Sequence, residues 1–183
     1  MNIGPHASWL ERKMRSYRLA LLVTLTCAAN PACAQSLCEL VPAAAVQSTL
    51  GISSTLAAAP NTQGGNGCDY RGAAAGPVTL TADTVSDDGM YKTIFDQRLH
   101  SLGPTQQLVS GIGDAAYYDL RQHQQIPKYP GISFTQQSIV FRAKGKIVNF
   151  ILMIPGDGVP KASMLALAAY TISKPINILK DPP

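Results

Sequence analysis

The run KIVNFILMIP, residues 146–155, is nearly continuously apolar. A strand with one wet face alternates apolar and polar residues, so this run predicts a central strand, covered on both faces or facing a deep core. Lys144 and Gly145 precede it as a two-residue hairpin connection to a strand over 132–142. Further strands are expected at 106–110 and 115–121, and earlier at 67–71 and 78–83, the last two split by GAAAGP.

Three helices complete the pattern. One spans 42–50, with Pro42 in the first turn and Gly51 where the chain must leave the helix. APNTQGGNG, residues 59–67, follows as a flexible loop. A second helix is expected over 87–102, with Ser86 as N-cap, Asp87 and Asp88 favouring the positive helix end, and Gly103 as terminator. Tyr91, Ile94, Phe95, Arg98, Leu99 and Leu102 share its apolar face. The last helix follows Pro160, presents Leu165, Ala168, Ala169 and Ile172, and stops near Lys174 because Pro175 disfavours helix there. The order α-β-β-α-β-β-β-β-α predicts an α+β domain in which helices cover an antiparallel sheet.

The N-terminus carries a different signal. MRSYRLALLVTLTCAANPACAQS, from Met14, has a basic front (Arg15, Arg18), an apolar stretch (19–29) and small residues Ala32 and Ala34 before a cleavage point. Residues 1–34 therefore read as a signal peptide whose true start is Met14, with 35–183 as one exported domain. The apolar stretch is too short to span a bilayer, which needs about 20 residues. Cys27 and Cys33 leave with the signal, and Cys38 and Cys68 are left to form one disulfide in an oxidising compartment. Lipidation is the rival reading, but neither Cys27 nor Cys33 follows the Leu and small-residue pattern of lipoprotein signals. The whole chain has 15 Lys and Arg against 11 Asp and Glu; residues 35–183 have 11 against 10, a net charge of +1. The basicity belongs to the leader, so the clustered charge of a nucleic-acid-binding surface is missing.

LVSGIGDAAYY, residues 108–118, holds Gly111, Gly113 and Ala116 at the spacing of a dinucleotide-binding turn. Such a turn needs a helix directly after the glycines and an acidic residue about 20 positions on. Here AAYYDLRQ reads as strand, and nothing acidic follows Asp119 until Asp157. Gly111, Gly113 and Asp114 are better taken as a tight structural turn between strands.

CELVPAAAVQSTLG, then CDY, VSGIGDAAYY and a C-terminal amphipathic helix, together resemble a group of small exported bacterial α/β domains. The group includes lipoproteins and the extracellular sensor domains of some bacterial Ser/Thr kinases. The likeness covers nearly all of residues 35–183 and implies the Cys38–Cys68 link and the fold rather than a reaction. This chain lacks the lipidation cysteine of the lipoprotein members and carries no kinase domain.

The remaining chemistry is sparse. His100 and His123 have no partner at metal-ligand spacing, so no metal site is expected, and no nucleophile elbow occurs. Tyr117 and Tyr118 are strand neighbours, so only one can belong to a given surface. The loop 122–131, with Tyr129 between Lys128 and Pro130, is long and polar, as binding loops are. The candidate binding surface is therefore Tyr118, Arg121, His123, Lys128 and Tyr129, with no cofactor. These features point to a noncatalytic periplasmic or secreted domain that binds a protein, peptide or small envelope ligand. The alternatives are an inhibitor or immunity-type partner of a secreted enzyme, and a small hydrolase using His100 or His123.

Overall fold

The apolar run at 146–155 lies in the middle of a seven-stranded antiparallel sheet. The computed structural model describes residues 36–61, 66–72 and 77–179; the expected signal peptide with Met14, Cys27 and Cys33 lies outside them, as do parts of two loops, residues 62–65 and 73–76. In chain order the elements are α1 (Leu37–Leu40), α2 (Ala43–Leu50), β1 (Leu56–Pro60), β2 (Cys68–Gly72), β3 (Thr79–Ser86), α3 (Gly89–His100), β4 (Gln106–Val109), β5 (Ala115–Gln125), β6 (Ser133–Ala143), β7 (Lys146–Pro155), α4 (Lys161–Ile172) and a 3-10 turn (Ile176–Ile178). The sheet order is β1-β2-β3-β7-β6-β5-β4. After β3 the chain leaves the centre, crosses through α3 to the far edge, and returns as a four-strand meander that sets β7 beside β3. The architecture is α+β.

Strand alternation sorts the side chains into two faces. One face carries Tyr70, Leu80, Ala82, Tyr118, Ile139, Phe141, Val148, Phe150 and Leu152. These pack with Leu37, Leu40, Val46 and Leu50 of α1 and α2, and Met164, Leu167 and Ala168 of α4, to form the main core. Cys38 of α1 and Cys68 of β2 sit at disulfide distance, Cα–Cα 5.1 Å. The Tyr70 hydroxyl donates to the Val41 carbonyl at 2.6 Å, which fixes the same corner. Among the described elements the opposite face carries only α3, and its buried Phe95 and Ile147 lie outside that main cluster.

Turns follow backbone chemistry. Lys144 and Gly145 both have positive φ (53° and 74°), the two-residue geometry that matches strand twist. The Lys144 ammonium then reaches across to the carbonyls of Ile172 and Lys174, closing the C-terminal end of α4. Gly113 has φ 57°, and a Cβ there would collide with the Arg142 carbonyl, which accepts the Asp114 amide at 2.7 Å. The G-x-G turn thus joins β4 to β5, and no helix follows it.

Several expectations are corrected. Ser86 is not an N-cap: β3 continues in register with β7 as far as Ser86 opposite Lys146, so the turn falls at Asp87 and Asp88, and Asp88 precedes the helix. Residues 56–60 form a strand where the Ala-Pro stretch was expected to open a loop, because pairing with β2 satisfies their backbone. The short α1 was not foreseen, although Ser36 and Glu39 make a reciprocal capping box. On α4 the buried stripe is Met164, Leu167, Ala168 and Thr171, rotated by one position from the expected face, and Ala169 is exposed.

Candidate functional site

A row of directly opposed residues crosses the sparsely covered face: Asp83 on β3, Asn149 on β7, Val140 on β6, Tyr117 on β5 and Leu108 on β4. Helix α3 lies over this row. It is held by Arg142, which reaches Asp96 at 2.9 Å and, ahead of the helix, Asp87 at 3.6 Å, and which stacks over the Phe95 ring at 5.3 Å. Phe95 faces Tyr117 with ring centroids 6.0 Å apart. Between helix and sheet is a cleft of about 270 Å³. Tyr91, Ile94, Phe95 and Arg98 form its helical wall; Asp83, Asn149, Val140, Tyr117 and Ile147 form the floor.

Helical spacing alone puts Tyr91, Ile94, Phe95 and Arg98 on one side of α3. Yet only Phe95 is buried, and Tyr91 and Ile94 remain 44% and 51% exposed. The electrostatics differ between the ends of the row. Burial raises the Tyr117 hydroxyl above its usual range while Arg98 pulls it down. Burial also raises the Asp83 carboxyl, against a hydrogen bond from Asn61 at 3.0 Å. The Oδ1 of Asn149 is enclosed and accepts no hydrogen bond from any described residue.

A second groove, of about 460 Å³, lies against β2 and β3 and is lined by Asp69, Arg71, Thr79, Thr81, Lys128 and Tyr129, among others. Of the residues singled out in the sequence, the structure brings Lys128 and Tyr129 together here, with Tyr129 braced on Phe134 at 5.8 Å. Tyr118 points the other way: it is 2% exposed in the core, where the Gln137 amide donates to its hydroxyl at 2.7 Å, and it offers no surface. Arg121 is exposed and paired with Asp119 at 3.1 Å. His123 is exposed at a register shift in β5, with φ 57°. Its Nδ1 lies 3.4 Å from Ser133 Oγ. His100 is exposed at the end of α3. Among the described residues no cluster of His, Cys, Asp or Glu could hold a metal ion, and no helix is long and apolar enough to cross a membrane.

Sequence reasoning took Tyr118 rather than Tyr117 for the candidate surface, and read the Tyr91, Ile94, Phe95 and Arg98 face of α3 only as an apolar face. The signal for Tyr117 was present: its i+2 and i+4 neighbours are Asp119 and Arg121, whereas those flanking Tyr118 on its own face are Ala116 and Leu120. The polar partners mark the open face. Nothing comparable marked Asn149, a single polar residue within an apolar run. No family model matches the chain, and no characterised protein or solved structure is significantly similar to it.

Proposed function

We propose that the chain is an exported binding domain without catalytic machinery, working in the periplasm or outside the cell, and that the cleft beneath α3 holds its ligand. One observation carries the reading: a twelve-residue helix buries only Phe95, and leaves Tyr91 and Ile94 exposed over a floor in which Val140 and Ile147 lie among a few polar groups. Concave sites with large apolar walls and a few placed polar groups are the usual seats of small ligands. Export is supported by the signal-like run ending at Ala34 and by the paired Cys38 and Cys68. The likeness to small exported bacterial domains fits the same reading.

A hydrolytic reading has the His123–Ser133 contact in its favour. That contact is exposed, lines neither cleft, and at 3.4 Å is longer than the roughly 2.6–3.2 Å of an activated pair.

The test uses 8-anilinonaphthalene-1-sulfonate, an apolar aromatic anion. The full chain should bind the dye with a saturable rise in fluorescence, and Ile94→Asp should abolish that rise. The half-exposed position leaves the far-ultraviolet circular dichroism unchanged. Equal fluorescence from the variant would mean that the dye binds elsewhere and that the cleft is not the site.

A further inference from the structure

The cleft beneath α3 has a charged end. Every other arginine and lysine among the described residues is held by a carboxylate, by another oxygen or by an aromatic ring. Arg98 has no such partner among them, and it stands at the Tyr117 end of the cleft, where its charge acts on the Tyr117 hydroxyl. Asp119, the acid that also acts on that hydroxyl, is already paired with Arg121 at 3.1 Å. Asp96 of the same helix belongs to Lys92 and Arg142. Asp83, the acid that lines the cleft, is three strand spacings from Tyr117, roughly 14 Å. An anion at Arg98 therefore meets its counter-charge and stays far from the acid on the floor.

The rest of the cleft is a trough for an apolar body. From Tyr91 to Arg98 is two turns of helix, about 10 Å of wall, with Ile94 and Phe95 between them. Val140 and Ile147 lie on the floor opposite. Tyr91 and Ile94 are half exposed, so the trough is open along one side and admits either a flexible chain or flat rings.

We infer that the cleft takes a monoanionic amphiphile, of which a medium-chain carboxylate is the simplest, with its acid group at Arg98 and its apolar body along the wall from Ile94 to Tyr91. This deepens the binding reading above and rests on it. The Arg98 guanidinium offers two parallel N–H donors to the two oxygens of the acid group. The body covers Ile94, Tyr91 and Val140 and takes their apolar surface out of water. A neutral apolar molecule gains only that burial, and a small anion gains only an exposed ion pair, so the site selects molecules that have both.

Octanoate, octan-1-ol and octylammonium share one apolar tail and differ in the charge of the head. Titrated into the full chain, octanoate should bind at one site and shift the amide resonances of residues 91–98, Tyr117 and Val140. Octan-1-ol should bind about fivefold more weakly, the worth of a partly exposed ion pair, and octylammonium more weakly still. Added salt should weaken octanoate and leave octan-1-ol unchanged. Arg98→Gln should bring octanoate down to octan-1-ol, and Arg98→Lys, which keeps the charge, should restore part of the gap; Arg98 is exposed, so the fold does not depend on it. Octan-1-ol or octylammonium binding as tightly as octanoate, a preference that survives Arg98→Gln, or no shift of the cleft amides with octanoate would each overturn the inference. If the fluorescent dye still binds in an Ile94-dependent way, the cleft stands as a binding site and only the ligand class is wrong. If dye binding also ignores Ile94→Asp, the binding reading falls with it.

Discussion

Asp83 shows how one residue on the cleft floor couples stability to pH. Burial lifts its carboxyl above the usual range; the Asn61 hydrogen bond opposes this, and the neighbouring Asp69 adds to it. A raised carboxyl binds its proton more tightly in the folded chain than in the unfolded one, so folding is favoured while the group is protonated. That contribution is lost as pH rises from the unfolded value, 3.8, through the higher folded one. Asp83→Asn keeps an oxygen that can accept from Asn61 and removes the titration. Urea unfolding followed from about pH 3 to pH 7 should show a flatter stability profile for the variant over the lower part of that range. An unchanged slope would mean that Asp83 is not strained by its site. The face on which Asp83 stands was legible from alternation along its strand; its burial was not, because that depends on Asn61 and the neighbouring β1–β2 corner folding over it.

At the scale of elements, α3 is loosely held for its length. It buries one side chain, whereas β6 and β7 bury residues on both faces. What holds it is largely the Arg142 cluster, and such partly exposed ion pairs contribute little individually. Hydrogen exchange should therefore find the α3 amides exchanging well before those of β6 and β7. Arg142→Met, which keeps the apolar stem over Phe95, should speed exchange in α3 while leaving the central strands unchanged. Equal protection of α3 and β7 would contradict this account. The helix itself was readable from its spacing and acidic start, but spacing cannot tell which apolar side chains find a partner. Among the described residues one helix reaches this face, and Tyr91 and Ile94 stay largely exposed on it. β1 was missed for the opposite reason: Ala57, Ala58 and Ala59 are exposed on an edge strand, show no alternation, and owe their conformation to β2 alone. The hairpin at Lys144–Gly145 and the central place of β7 were legible because turn chemistry and composition each allow one arrangement.

At the scale of the whole molecule, the Cys38–Cys68 pair ties α1 to β2 across 30 residues of sequence. Closing a loop of that length constrains the unfolded chain by about 3–4 kcal/mol. Cys68→Ser should lower unfolding free energy by about that amount, measured by denaturant titration under oxidising conditions. The intact chain, unfolded without reductant and freed of residues 1–34, should show no reactive thiol; two would refute the link. The α+β class could be read from the order of elements, but the strand order could not, since it depends on which distant strand claims the open edge of β3. That edge is filled by β7, with Ser86 set against Lys146 60 residues later. β1 to β3 and β4 to β7 are each built from local antiparallel neighbours, and this one long-range pairing makes them a single sheet. Contacts so distant in sequence form slowly, because the intervening chain must be gathered first. A nascent polypeptide of this design cannot pair β3 with β7 until about residue 155 is available, so the two halves of its sheet are joined only when nearly all of the described chain has been made.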